Sequence, residues 1–197
     1  MNIDQVKTAF KIADVELIKG ETRLNFNYLE QIFDENKKLL PQTILTRNVA
    51  RVYLIVVNKT ITKIGSSQSE GGIKNTLSIY RDGGILGRPS IRSFGIWYFL
   101  YNTILKGGKI EFYMIYQEDF KKDVKGLFKV YTIDDANISC KILENLCLND
   151  YLSVEKVYPL WNIQEKGYDW PEDVKKEHSE ITNRSFLRKT SRKKATM

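Results

Sequence analysis

The sequence predicts an α+β fold in which a small three-stranded antiparallel sheet is flanked by helices. Three observations predict it. A β-branched and aromatic run at 52–57 is followed by a turn and a second, alternating run, the pattern of a hairpin. Two segments with apolar residues at helical spacing come next, each closed by paired glycines. A third strand-like run at 109–117 then precedes one more helical segment, so that strand, strand, helix, helix, strand, helix is the expected order.

Each element has its own warrant. Residues 1–45 mix helical and loop signals. Within them, 25–40 (NFNYLEQIFDENKKLL) sets Leu29, Ile32, Phe33, Leu39 and Leu40 near helical spacing, with Pro41 as a stop. This predicts an N-terminal helical extension over residues 1–49. Residues 52–57 are apolar throughout, as in a strand buried on both faces; Asn58, Lys59 and Thr60 turn the chain, and 61–65 returns. Residues 66–72 (SSQSEGG) form a polar loop. Ile73, Leu77 and Tyr80 then mark a helix closed by Asp82, Gly83 and Gly84. After a loop at 85–89, Ser90 is placed to cap a strongly apolar helix over 91–106, which ends at Gly107 and Gly108. Its aromatics read as core rather than as a base-stacking platform. The third strand (KIEFYMIYQ) is followed by an acidic and basic loop, a helix from about 134 to 152, and the closing run Tyr158, Pro159, Leu160, Trp161 and Asn162. A core over 50–163 and a C-terminal extension over 164–197 complete the division.

Composition narrows the function. The 197-residue chain is 42% hydrophobic, enough for a real core, and its four prolines and twelve glycines exclude a fibrous or largely disordered chain. No apolar run approaches a membrane span, and residues 1–10 lack a signal-peptide layout, so a cytoplasmic protein without a membrane partner is expected. Cys140 and Cys147 lie seven apart in a helical segment, about 10 Å, which fits reduced thiols rather than a disulfide. With His178 the only histidine, and that in a charged segment, the sequence excludes a multi-histidine metal site and argues against a Ser-His-Asp triad. Any catalysis must run on Tyr, Lys, Arg and carboxylates. The net charge is +7, and residues 181–197 carry six cations without an acid, leaving about +1 for the rest. Such an arm suits a phosphate backbone.

The hairpin and the landmarks after it resemble the GIY-YIG nuclease superfamily over residues 50–163. Tyr53 and Lys63 stand about ten residues apart, as the tyrosines of that family's two strand motifs do, and Gly65 ends the second motif. A helix with an arginine, a third strand, a helix with a glutamate and the Pro159 to Asn162 close follow in the family's order. The close, and lysine in place of the second tyrosine, are similar to the family's type II restriction endonucleases. Arg51 stands where the first motif has glycine. The phosphate-binding cation falls on Arg81 or, by the usual interval, on Lys74. The metal-binding carboxylate is Glu144, with Asp150 and Glu155 as alternatives.

The resemblance implies a sequence-specific endonuclease that hydrolyses double-stranded DNA with Mg²⁺ or Mn²⁺, acting as a homodimer. Glu144 would anchor the metal, Arg81 would hold the non-bridging oxygens, and Tyr53 would orient or deprotonate water, its pKa lowered by Lys63. Asn162 would fix the site. Mg²⁺ retains most of its waters, so one carboxylate can hold it. DNA contacts are expected from the N-terminal region, from Lys74, from Arg88 and Arg92 by bidentate bonds to guanine or by phosphate contact, and from Arg188 and Lys189 in the tail. The departures motivate a second reading, a catalytically impaired DNA-binding protein; a homing-type endonuclease, which has little room here for its DNA-binding region, and a structural or interaction module on the same fold are the others.

Overall fold

In the computed structural model, which describes residues 1–84 and 89–194, the sheet is wider than the sequence predicts. It has five antiparallel strands in the order β2-β1-β7-β5-β6. These are β1 (Phe10–Leu17), β2 (Leu24–Tyr28), β5 (Arg51–Val57), β6 (Thr60–Ser67) and β7 (Ile110–Tyr116). The expected hairpin and third strand are β5, β6 and β7, with β5 central and buried nearly throughout.

The N-terminal helical extension is corrected. β1 pairs with β7 and β2 pairs with β1, so residues 10–28 widen the sheet. Leu24, Phe26 and Tyr28 alternate as a strand requires. Ile32 and Phe33 (β3, Ile32–Phe33) pair with Leu40 and Leu39 (β4, Leu39–Leu40) across a turn in which the Asp34 carboxylate accepts from the Asn36 and Lys38 amides. That turn, with Lys37 at φ 62°, breaks the helix that the apolar spacing suggests.

Helices cover both faces of the sheet. On one face, α1 (Gly72–Ser78) and α2 (Ile91–Leu105) bring Ile73, Leu77, Phe94, Ile96 and Leu100 against Tyr53, Ile55, Phe112 and Met114. Trp161 and Trp170 seal this layer. On the other, α3 (Cys140–Glu155) sets Leu148 and Tyr151 on Val52, Leu54, Val56 and Ile64. Ser90 caps α2, as expected, by accepting from the Ser93 amide, and Ser139 caps α3 by accepting from Ile142. α3 therefore starts later than 134. The residues before it form β9 (Val130–Ala136), which pairs with β8 (Phe120–Lys125) where a loop is expected.

The segment with the basic tail is α4 (Glu172–Lys194), packed against α2. Val174 is fully buried, and the His178 ring lies 5.5 Å from Phe94 and 2.8 Å, through Nε2, from the Pro89 carbonyl. The lone histidine is thus part of this seam. No helix among the described residues is long and apolar enough to cross a membrane. Both cysteines are free thiols, and burial pushes Cys147 up to about 11.

Candidate active site

The β5–β6 hairpin builds the site. Tyr53 and Gly65 are cross-strand partners, and a β-carbon at 65 would lie 2.5 Å from the Tyr53 Cζ and hydroxyl. The ring lying across the opposite strand is the reason for glycine at this position. The Tyr53 hydroxyl shares a 2.8 Å hydrogen bond with that of Tyr80, the two rings standing edge to face.

Both tyrosines are buried. Burial first, and then the neighbouring Tyr80, push the Tyr53 hydroxyl well above its ordinary value; Arg92 opposes the rise and Glu144 adds to it. Burial also raises Tyr80, against its bond to Tyr53 and the Arg92 charge. The expectation that Lys63 lowers the Tyr53 pKa is therefore corrected: desolvation outweighs nearby positive charge, and the phenol keeps its proton near neutral pH.

Lys63 faces Ile55 across the ladder and is 2% exposed. Burial brings its ammonium down to about 8, with Glu165 and Glu144 opposing the shift and Arg92 and Lys141 adding to it. A buried lysine titrating there is a competent proton acceptor close to neutrality.

Glu144 is 2% exposed on α3. One carboxylate oxygen, Oε2, accepts from Ser66 Oγ and from Lys141 Nζ, both at 2.9 Å. Ser66 adjoins Gly65, so the carboxylate lies against the second strand motif. Its other oxygen, Oε1, is buried without a hydrogen-bond partner. An orphaned carboxylate oxygen costs about 1–3 kcal/mol or more, and is explained where it has a ligand to meet. The alternatives sit elsewhere: Glu155 takes the N-terminal ammonium at 2.8 Å, and Asp150 is exposed on the wall of a separate cleft. No group of three or more His, Cys, Asp or Glu capable of holding a metal occurs among the described residues. The donor set fits a hydrated Mg²⁺ or Mn²⁺ held by one carboxylate, and does not fit zinc.

Asn162 is fully buried and clamps the outer edge of β6. Its Oδ1 accepts from the Ile64 amide at 2.9 Å and its Nδ2 donates to the Ile64 carbonyl at 2.8 Å. The Trp161 amide adds a 2.7 Å bond to the Thr62 carbonyl. The closing run thus completes an otherwise open strand edge and holds Lys63 and Gly65 in register.

The structure separates the candidate cations. After α1 the chain turns Tyr80 inward and Arg81 outward. Arg81 lines a shallow depression with Lys74, Phe26 and Tyr28, and Lys74 lies 5.0 Å above the Tyr28 ring. The cation whose charge reaches Tyr53, Lys63 and Tyr80 is instead Arg92, exposed in the first turn of α2. Neither Arg92 as a site cation nor Tyr80 as a hydroxyl partner follows from sequence spacing. Arg51, at the first motif's glycine, is fully buried and donates to the Arg47 and Ser69 carbonyls, so its guanidinium secures the loop after β6. Arg88 lies outside the described residues, as do the side chains of Arg188 and Lys189 on α4.

No known protein family and no curated protein matches the chain. Solved structures similar to it include two nucleases. Restriction endonuclease HPY188I in complex with product DNA is 18% identical, with a TM-score of 0.43 over 81% of this chain and 84% of that one. A mutant of bacteriophage T4 EndoII is 14% identical, with a TM-score of 0.48 over 83% of this chain and 99% of that one.

Proposed function

We propose that the chain is a metal-dependent endonuclease of the GIY-YIG type, hydrolysing phosphodiester bonds in double-stranded DNA as type II restriction enzymes do. The observation that carries this reading is the buried Glu144 Oε1 without a partner, on a carboxylate whose charge acts on a lysine titrating at about 8. A structural carboxylate would be satisfied on both oxygens, and a structural lysine would keep its head in water. The basic C-terminal segment supplies charge for a polyanion.

The residues divide the work. Neutral Lys63 takes a proton from water as its oxygen attacks phosphorus; the P–O3′ bond breaks, and the leaving oxygen is protonated from solvent. Arg92 donates to the non-bridging oxygens as their charge grows. Glu144 would hold Mg²⁺ or Mn²⁺, which supplies Lewis-acid stabilisation of phosphate and leaving group. Tyr53, protonated and oriented by Tyr80, donates a hydrogen bond rather than acting as the base. Asn162 is a positioning residue acting through β6.

The test is cleavage of supercoiled plasmid DNA with Mg²⁺, with Mn²⁺ and with EDTA, using the whole chain and its Glu144→Gln variant. Metal-dependent nicking that the variant loses is expected. Equal cutting by both proteins, or none by either across varied DNA, would overturn the reading; salt-sensitive binding without cutting would leave a catalytically impaired DNA-binding protein.

A further inference from the structure

We propose that the β8–β9 hairpin is a dimerisation arm whose tip seats in the cleft at the foot of the same arm on a second copy of the chain. The arm is incomplete alone. Its two strands pair with each other and make at most marginal contact with any other element, and every residue of β8 is exposed. An isolated two-stranded hairpin is marginally stable in water, so a long ordered one needs something to lie against. At its tip Leu127 and Phe128 are 88% and 92% exposed, larger fractions than for the other exposed hydrophobics. The tip stretch at 124–131 (VKGLFKVY) carries Lys125 and Lys129 and no acid.

The cleft offers the complementary surface. It is about 680 Å³, and it is lined in part by Leu39 of β4 and Leu146 of α3, which are 55% and 51% exposed. Asp34, Glu35 and Asp150 also line it, and none of them is in an ion pair among the described residues. Carboxylates outnumber the cations of the cleft, Lys38 and Arg47, and Arg47 is already bridged to Glu118. An apolar, acidic groove thus matches an apolar, basic tip. The same acidity repels a phosphate backbone, which disfavours DNA as the occupant of the cleft.

The placement suits exchange. Gln117 lines the cleft and β8 begins three residues later, while β9 leads into α3, whose Leu146 and Asp150 form part of its lining. Each arm therefore springs from the edge of the groove that receives its partner. A six-residue strand reaches about 20 Å. Two such arms side by side about a two-fold axis place each tip at the other's foot, a closed, self-complementary arrangement.

The test is sedimentation velocity of the whole chain without nucleic acid, so its outcome is independent of the nuclease reading. A dimer at micromolar concentration is expected. The double variant Leu127→Ala/Phe128→Ala should weaken it at least tenfold while keeping the wild-type circular dichroism spectrum. Lys125→Glu/Lys129→Glu should weaken it similarly, and adding Glu35→Lys/Asp150→Lys to the same chain should restore it. A monomeric wild type, or a dimer indifferent to the tip, overturns the proposal. So does a tip variant that keeps the wild-type mass but loses DNA affinity, which would assign the arm to nucleic acid.

Discussion

Replacing Lys63 with methionine should make the protein more stable and less active at once. Methionine keeps the length of the buried stem and removes the ammonium. The folded lysine titrates at about 8, against 10.5 when exposed. A difference of that size corresponds to about 3 kcal/mol of destabilisation, at about 1.4 kcal/mol per pH unit. Both folded and unfolded chains are protonated below pH 8, so the penalty is full there. Between about 8 and 10.5 the unfolded state binds more protons, so stability rises with pH, and above 10.5 the term vanishes. Lys63→Met should therefore exceed the wild type by up to about 3 kcal/mol at pH 7, with the gap closing towards pH 10. Comparing the two proteins at each pH cancels the tyrosines, whose raised values destabilise the fold only above pH 10 in both. Urea denaturation at pH 7 and 10 measures the difference, and plasmid cleavage measures the cost. Loss of general-base assistance is worth about 10²–10⁴ in rate. In the wild type, cleavage should climb about tenfold per pH unit up to pH 8 and then level off. A Lys63→Met protein less stable than wild type by the same amount at both pH values would refute the desolvated ammonium, and one that cuts normally would refute the base.

Arg92→Ala should cost about 10²-fold in cleavage, as loss of a transition-state hydrogen-bond donor does, while Arg81→Ala changes it only a few-fold. Because Arg92 depresses Lys63, its removal should also move the pH profile alkaline, measured as the shift of the rising limb. Tyr80→Phe leaves the buried Tyr53 hydroxyl without its 2.8 Å partner and should cost about 1–2 kcal/mol in urea unfolding. Asn162→Ala strands the amide and carbonyl of Ile64 on the edge of β6; a loss of about 2–4 kcal/mol is expected by the same measurement.

What the sequence reveals follows from where its apolar residues point. β5 is legible because it is buried on both faces, leaving an uninterrupted run from Val52 to Val56. β2 is hidden because its alternation runs straight into Leu29, Ile32 and Phe33, which mimic a helix until the Asp34 turn is seen. β8 is hidden for the opposite reason: an arm exposed on both faces has no buried side, and its three lysines and one aspartate read as a loop. Spacing also fails at the cations. The usual interval falls on Lys74 and Arg81 lies a heptad later, and both line a depression with Phe26 and Tyr28. Arg92, in the first turn of α2, lies beyond that interval, yet its charge acts on Tyr53, Lys63 and Tyr80. Interval counting assumes that intervening turns preserve direction, and here they do not.

The three candidate carboxylates differ in environment where spacing treats them alike. Glu144, Asp150 and Glu155 share one helix, and a sequence ranks them only by interval. Packing ranks them by environment: Asp150 faces water, Glu155 neutralises the N-terminal ammonium, and Glu144 is pressed against Ser66 beside the hairpin motif. Lys141 answers the Glu144 charge from the exposed side, 64% open to solvent, so one oxygen is satisfied and the other is left facing inward. An isolated exposed partner returns little against the cost of desolvating a carboxylate. The arrangement is thus poor as a stabilising ion pair and well suited to a carboxylate that waits for a cation. Glu144→Gln, which keeps the shape and removes the charge, should relieve that cost and leave the protein at least as stable in urea without metal. With Mg²⁺ present, wild-type stability should rise with metal concentration and the variant's should not. Identical metal responses from the two proteins would remove Glu144 from the metal site, whatever their cleavage activities.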